Sequence, residues 1–279
     1  MTFSYQQCRL RTLSVATIRY FYPFSIRMET IQTEITGSIA TIRLNRGKAN
    51  AINAQMANEL LDSLLELKAN DQVRGVLLTG HGEFFSAGLD VIELYHYDEN
   101  QIIDFWKVFD RLIRRLVSFP KPLVAAITGH CPAGGCILTL GCDYRVMAVG
   151  KYRIGLNEIP LGIVVPETIY HLYSFVIGRG HAYQSLLEGK LHTAEEALAI
   201  GLVNETCDLA EVEARGKVQL EKYLQLSTAV WAQSKLNFRN AILHRLTSDF
   251  KTAFEPTLKQ WWSPETRAIL GKMIDGLKK

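Results

Sequence analysis

From Ile31 onward the hydrophobic positions switch repeatedly between a period of two and a period of about 3.6. TIQTEITGSIATIRLNR (30–46) alternates apolar and polar residues on both sides of Thr36-Gly37-Ser38, the signature of a β-hairpin. Residues 54–69, AQMANELLDSLLELKA, then place Met56, Leu60, Leu64 and Leu67 on one helical stripe. RGVLLTG (74–80) and LVAAI (123–127) read as short buried strands with a helix around 100–118 between them. A helix is predicted after Gly134 and a strand over YRVMAV (144–149). Strands and helices alternating at this spacing predict β–α crossover units in a mainly parallel sheet, an α/β fold. Past residue 166 the strand signal nearly vanishes, and helices are predicted over 179–187, 193–200, 209–226, 228–243 and 263–278. The chain therefore divides into an extension over 1–28, an α/β core over 29–225 and a helical region over 226–279. The apolar content of that last region, including Trp231, Trp261 and Trp262, fits internal packing or a subunit interface.

Composition sharpens the two ends more than the middle. With 279 residues and 48% hydrophobic content, the chain can bury a substantial core. Its net charge of +3 is unevenly placed: Arg9, Arg11, Arg19 and Arg27 stand in the first 28 residues without an acid, leaving 27 basic against 28 acidic residues beyond. The near-neutral body has no basic stripe to meet nucleic acid, and no apolar run approaches the length of a membrane span. An Arg- and Ser-bearing, acid-free start has the composition of a mitochondrial transit peptide. However, YFYPF (20–24) is unlike a clean amphipathic presequence, and acids begin at Glu29, directly after Met28, so an overextended start fits equally. The ending GLKK is not a peroxisomal address. The expected location is cytoplasmic, or the mitochondrial matrix if the extension is a transit peptide. Five cysteines, Cys8, Cys131, Cys136, Cys142 and Cys207, are odd in number and form no CxxC pair, which argues against a zinc site and a disulfide framework alike. No metal is expected.

Three segments carry candidate chemistry. CPAGGCI (131–137) joins the strand LVAAI to the helix after it, and Gly134 and Gly135 leave bare backbone N–H groups at a helix N-terminus, where developing negative charge is bound. GEFFSAGLD (82–90) follows the strand RGVLLTG, and its small residues Ser86, Ala87 and Gly88 let a ligand approach the main chain. Alone, that loop reads more simply as a strand-to-helix turn. YRIGLNEIPLG (152–162) sets Glu158 in an apolar stretch between Leu156 and Pro160. A loop glutamate is normally solvated, so Glu158 by itself is a weak catalytic candidate.

In combination and in this order, the three segments resemble the enoyl-CoA hydratase/isomerase (crotonase) superfamily, with LNRGKANAIN (44–53) resembling its first CoA-contacting segment. The resemblance runs from about Glu29 to the C-terminus. It implies a crotonase-like spiral of ββα units with a helical C-terminal trimerisation region, assembled as a homotrimer or a dimer of trimers. It also implies an acyl-CoA thioester as substrate and no cofactor, because CoA is part of the substrate. By motif position, the backbone N–H groups of Leu89 and Gly134 are expected to form an oxyanion hole. Lys48, Ala49, Ala87, Gly88, Asp90 and Val91 are expected along the CoA path, with Asn157 beside the acyl chain and Glu158 as the acid-base group.

One position separates reactions within the resemblance. A hydratase-like site has a carboxylate directly after Gly-Gly-Cys and a second one in the third motif, whereas this chain has Ile137 at the first position. Water addition requires a positioned water and proton delivery, and a single carboxylate serves both poorly. Moving a double bond from C3 to C2 requires only one base that takes a proton from C2 and returns it to C4. The chain is accordingly most similar to the 3,2-trans-enoyl-CoA isomerases within that superfamily. Another crotonase-type acyl-CoA enzyme and a non-catalytic acyl-CoA binder are the competing readings. His130 reads as a structural histidine, His81 as a ligand neighbour or an exposed residue, and Cys131 and Cys136 as packing groups. Tyr95, Phe105, Trp106 and Phe109 are candidates for an acyl pocket.

Overall fold

A computed structural model describes residues 28–246 and 249–277. The extension read over 1–28 lies, apart from Met28, outside the described residues. The predicted hairpin is present as β1 (Ile31–Thr36) and β2 (Ile39–Leu44), with Ile31 opposite Leu44 and Thr36 opposite Ile39. α1 (Ala54–Ala69) starts at Asn53, whose side chain accepts from the Met56 N–H at 3.0 Å. After β3 (Gly75–Thr79) and the short α2 (Val91–Tyr95), α3 (Glu99–Val117) opens with a capping box in which Asp98 and Gln101 bond each other's backbone N–H.

β4 (Leu123–Ile127), β5 (Cys131–Pro132), α4 (Gly134–Leu140), β6 (Tyr144–Ala148) and β7 (Ile154–Gly155) complete the motif-bearing half. Beyond it come α5 (Glu167–Ile177), α6 (Arg179–Glu188), β8 (Leu191–His192), α7 (Ala194–Ala199), β9 (Glu205–Cys207), α8 (Val212–Leu224), α9 (Thr228–Leu246), α10 (Phe250–Trp261) and α11 (Pro264–Leu277).

The main sheet runs β1-β2-β3-β4-β6-β9, and every neighbouring pair except β1–β2 is parallel. β3 and β4 are buried along their whole length, which is why both read as unbroken apolar runs. α8 packs on β3, β4 and β6, and its Gly216 makes that approach possible: a Cβ there would lie 2.7 Å from Leu77 Cδ1. A second, small sheet of order β5-β7-β8 stands apart and carries the chemistry-bearing loops.

Two findings depart from the sequence reading. The region past residue 166 is not purely helical, since β8 extends the small sheet and β9 forms an edge of the large one. Strands this short owe their existence to pairing with β7 and β6 rather than to any local period. Three helices were also not anticipated: the short α2, α5, and α10, which holds Pro256 inside it.

The C-terminal helices fold back onto their own chain. Thr257 Oγ1 donates to the Val164 carbonyl at 2.9 Å and Thr266 Oγ1 to the Gly162 carbonyl at 2.6 Å. The Arg267 guanidinium donates to the Tyr95 carbonyl at 2.8 Å and lies 3.4 Å from the centre of the Tyr95 ring. Trp261 is fully enclosed, whereas Trp262 is exposed.

Candidate active site

Two loops knit together before any ligand is considered. Ala87 N–H donates to the Ala49 carbonyl, Ile52 N–H to Gly88 and Asp90 N–H to Ile52, each at 2.8 Å. Asn50 ties the knot. It is fully buried with a left-handed φ of 49°, and its side-chain amide donates to the carbonyls of Phe84 and Phe85 at 3.3 and 3.2 Å. Asparagine tolerates that backbone region better than most residues, the one local signal that could have marked this position. Arg46 adds ion pairs to Asp90 at 2.6 Å and to Glu93 at 2.8 Å. Lys48 is exposed on the rim, Ala49 and Ala87 sit side by side, and Gly88 is buried. The carboxylate of Asp90 is committed to capping α2 through Glu93 N–H and to Arg46, while Val91 opens α2.

This knot delivers Leu89 to α4. Ala133, the residue before Gly134, holds a strained φ of 47°. Gly134 then passes so close that a Cβ on it would sit 2.8 Å from Leu89 Cδ2 and 3.2 Å from Leu89 N. A Cβ on Gly88 would likewise lie 3.4 Å from Gly134 N, and one on Gly135 would lie 2.7 Å from the Ser86 carbonyl oxygen. The two main-chain nitrogens of Leu89 and Gly134 thus converge, and among the described residues neither N–H is taken by an acceptor. Two unpaired N–H donors that converge in this way are of the kind that can accept developing negative charge.

The small sheet brings the third motif alongside. Cys131 N–H donates to the Arg153 carbonyl and Ala133 N–H to the Gly155 carbonyl, both at 2.8 Å, so β7 is locked to the residues just before Gly134. Glu158 follows at the start of a 3-10 turn, Ile159–Leu161. The loop glutamate is therefore not solvated: it is 9% exposed, and its Oε2 has no hydrogen-bond partner among the described residues. Burial raises its carboxyl to about 7, against which its own backbone N–H is a minor opposing influence. Asn157 Oδ1 is also buried without a partner. Ile137 is 2% exposed on α4, so the place after Gly-Gly-Cys holds hydrocarbon.

The neighbouring candidates resolve into packing. His130 packs tilted against Phe84 and edge-on to Tyr152, exchanges main-chain hydrogen bonds with residues 83 and 85, and is kept neutral by burial. His81 Nδ1 lies 3.1 Å from the Leu44 carbonyl, bracing the loops. Cys131 and Cys136 are buried thiols pushed well above their ordinary range by desolvation. Phe105, Trp106 and Phe109 form a ring cluster with Phe254 in the core, and Tyr95 sits under Arg267. An apolar cavity of about 570 Å³ does open beside Glu158's neighbour Ile159, bounded by Val164, Tyr183 and Leu187. Among the described residues no group of three or more His, Cys, Asp or Glu is placed to hold a metal.

Comparison with known proteins fits this geometry. Residues 34–259 match the family model described as enoyl-CoA hydratase/isomerase. The chain belongs to the enoyl-CoA hydratase/isomerase family. It is 37% identical over 205 residues to the mouse mitochondrial enoyl-CoA delta isomerase 1, an alignment covering 73% of this chain and 71% of the relative. It is 30% identical to a short-chain-enoyl-CoA hydratase of Clostridium acetobutylicum, over 82% of this chain and 86% of that one. The crystal structure of the human mitochondrial delta3-delta2-enoyl-CoA isomerase superposes with a TM-score of 0.86 at 28% identity, covering 90% of this chain and 98% of that one.

Proposed function

We propose that this member of the enoyl-CoA hydratase/isomerase family moves the double bond of a 3-enoyl-CoA to give 2-trans-enoyl-CoA. The solitary carboxylate carries the reading: Glu158 is buried and unpaired, and Ile137 fills the place where a second acid would stand. The thioester carbonyl lodges against the N–H groups of Leu89 and Gly134. Glu158, as carboxylate, takes a proton from C2, charge passes to the carbonyl oxygen, and the two amides stabilise the enolate by an amount that reaches about 3–4 kcal/mol for one such donor. Glu158 then returns the proton to C4, beside Asn157. CoA follows Lys48, Ala49 and the 87–91 loop. No cofactor enters, since every step is a proton transfer.

The mitochondrial isomerase relatives support this reading and also favour delivery of the protein to the mitochondrial matrix over a cytoplasmic location, which N-terminal sequencing of the native protein checks. Exposed Leu226, Val230 and Phe238 in and before α9 support self-association as a homotrimer, readable by light scattering.

The deciding experiment offers 3-hexenoyl-CoA and crotonyl-CoA to the purified protein. Conversion of the first with negligible hydration of the second is expected. The bacterial hydratase relative favours the second reading, a hydratase, and efficient hydration of crotonyl-CoA would establish it in place of the first.

A further inference from the structure

We propose that Thr266 and Arg267, consecutive residues on α11, are positioning residues that together fix the separation between the Glu158 carboxyl and the Leu89 amide. The proposal rests on the roles that the isomerase reading gives those two groups.

Thr266 holds the acid side. It is fully buried, and its Oγ1 donates to the Gly162 carbonyl at 2.6 Å while accepting from Gln260 Nε2 at 3.2 Å. Gly162 has a left-handed φ of 71°, and a Cβ on it would lie 3.1 Å from Thr266 Oγ1 and 3.0 Å from Ile269 Cδ1, so the turn lies directly against α11. The Glu158 carbonyl accepts from the N–H groups of Leu161 and Ile163, which flank Gly162, at 2.9 and 3.0 Å. The turn that begins at Glu158 is thus closed on itself and pinned to α11 where it ends. β5 and β7 fix its start, and Thr266 fixes its finish.

Arg267 holds the amide side. Its guanidinium donates to the Tyr95 carbonyl at 2.8 Å and lies over two rings, 3.4 Å from the centre of Tyr95 and 5.3 Å from that of Trp262. The Tyr95 hydroxyl returns a long hydrogen bond, 3.4 Å, to the Arg267 carbonyl. Tyr95 ends α2, a helix of five residues whose first residue, Val91, donates its N–H to the Leu89 carbonyl at 2.8 Å. Leu94 N–H donates to the Asp90 carbonyl at 2.9 Å, so Leu89 and Tyr95 terminate one short, internally bonded piece.

Successive side chains of a helix point about 100° apart, so two neighbours can grip two different elements. Thr266 and Arg267 do this, and α11 packs on both α2 and the turn after Glu158. Forming the enolate requires a base at C2 and amide donors at the carbonyl oxygen in the same instant, and a misplacement of about 1 Å between them costs as much as about 10²-fold in rate. Both residues act through the elements they hold, Thr266 through Gly162 and Arg267 through Tyr95.

The test compares Thr266→Val and Arg267→Met with the unsubstituted protein in single-turnover isomerisation of 3-hexenoyl-CoA, with enzyme in saturating excess. That rate constant does not depend on the folded fraction, so a residue that merely stabilises the fold would leave it unchanged. Each variant is expected to lower it about tenfold, with the half-saturating enzyme concentration little changed. Thr266→Ser, which keeps the hydroxyl, is expected to recover most of the rate. Because both grips set one separation, the double variant is expected to fall to about the level of either single one. Unchanged rates in the single variants, no recovery with Thr266→Ser, or losses that multiply in the double variant overturn the clamp. Thr266→Ala and Tyr95→Leu, with the same expected loss, stand in for a variant that does not fold. If the unsubstituted protein forms no 2-enoyl-CoA at all, the isomerase reading fails instead. Washout of the C2 hydrogen of butyryl-CoA into D₂O then serves as readout: slower washout in the same variants supports the clamp, and equal or absent washout overturns it.

Discussion

On the amide side of the site, residues 46–53 and 84–90 are cross-linked by main-chain bonds, the buried Asn50 amide and the Arg46 ion pairs, so nearly every polar group near Leu89 is occupied. On the acid side, Glu158 Oε2 and Asn157 Oδ1 are buried and open. A third region calibrates the contrast. The Asp143 side chain, only 9% exposed, is held by Lys235 at 2.7 Å and Arg239 at 3.0 Å, and a carboxylate so clamped is a structural anchor. Amides that stabilise charge work by not moving, which demands saturation around them. A group that must gain and lose a proton needs a free lone pair and an apolar wall. Satisfying Glu158 with a cation would steady the fold and remove the base.

The strongest way to break this contrast is Glu158→Gln. Turnover is expected to fall about 10²- to 10⁴-fold in a single-turnover assay while acyl-CoA binding persists. The same variant reveals what the open carboxyl costs. The folded carboxyl sits at about 7 against an ordinary 4.5, so the folded state binds the proton more tightly than the unfolded chain. The penalty is absent below 4.5, grows as pH rises, and is complete above about 7. At pH 8 the amide variant is therefore expected to gain up to about 3 kcal/mol in denaturant unfolding, and none at pH 4.

Gly135→Ala attacks the saturated side without touching the acid. Its new Cβ would meet the Ser86 carbonyl at 2.7 Å and push the 86–89 loop off α4. A loss of about 10²-fold in kcat is expected, and an unchanged kcat would show that the amides tolerate movement. The smallest effect is that of pH on the intact protein. Because the base must be ionised, kcat/KM is expected to drop about tenfold per unit below pH 7 and to level off above it. A midpoint near the ordinary 4.5 would mean that Glu158 is solvated in solution.

Much of the core was legible because its signals are local. The Thr36-Gly37-Ser38 hairpin, the α1 stripe and the apolar runs of β3, β4 and β6 lie within a residue or two of where periodicity places them. α10 was hidden by Pro256, and β5, β7, β8 and β9 are too short to carry a period. At the site, the glycines and Glu158 were readable from motif order. The burial of Glu158 was not, since a loop position carries no periodic signal that separates a solvated from an enclosed side chain. Asn50 and Ala133 escaped as well: their roles depend on a left-handed backbone that only the fold supplies.

The union of β5 with β7 rests on a pair of residues from each strand, with only Leu156 and Asn157 between that anchor and Glu158. This makes a rigid arm of fixed length with an interchangeable tip. Main-chain atoms form the anchor, so the side chains at 137 and 158 are free to vary without loosening it. One backbone can thus be inherited by enzymes of different chemistry, and a new reaction requires new tips on an unaltered frame. Lengthening the arm by a single residue would swing the tip away from the amides, so insertions should be far less tolerable here than exchanges.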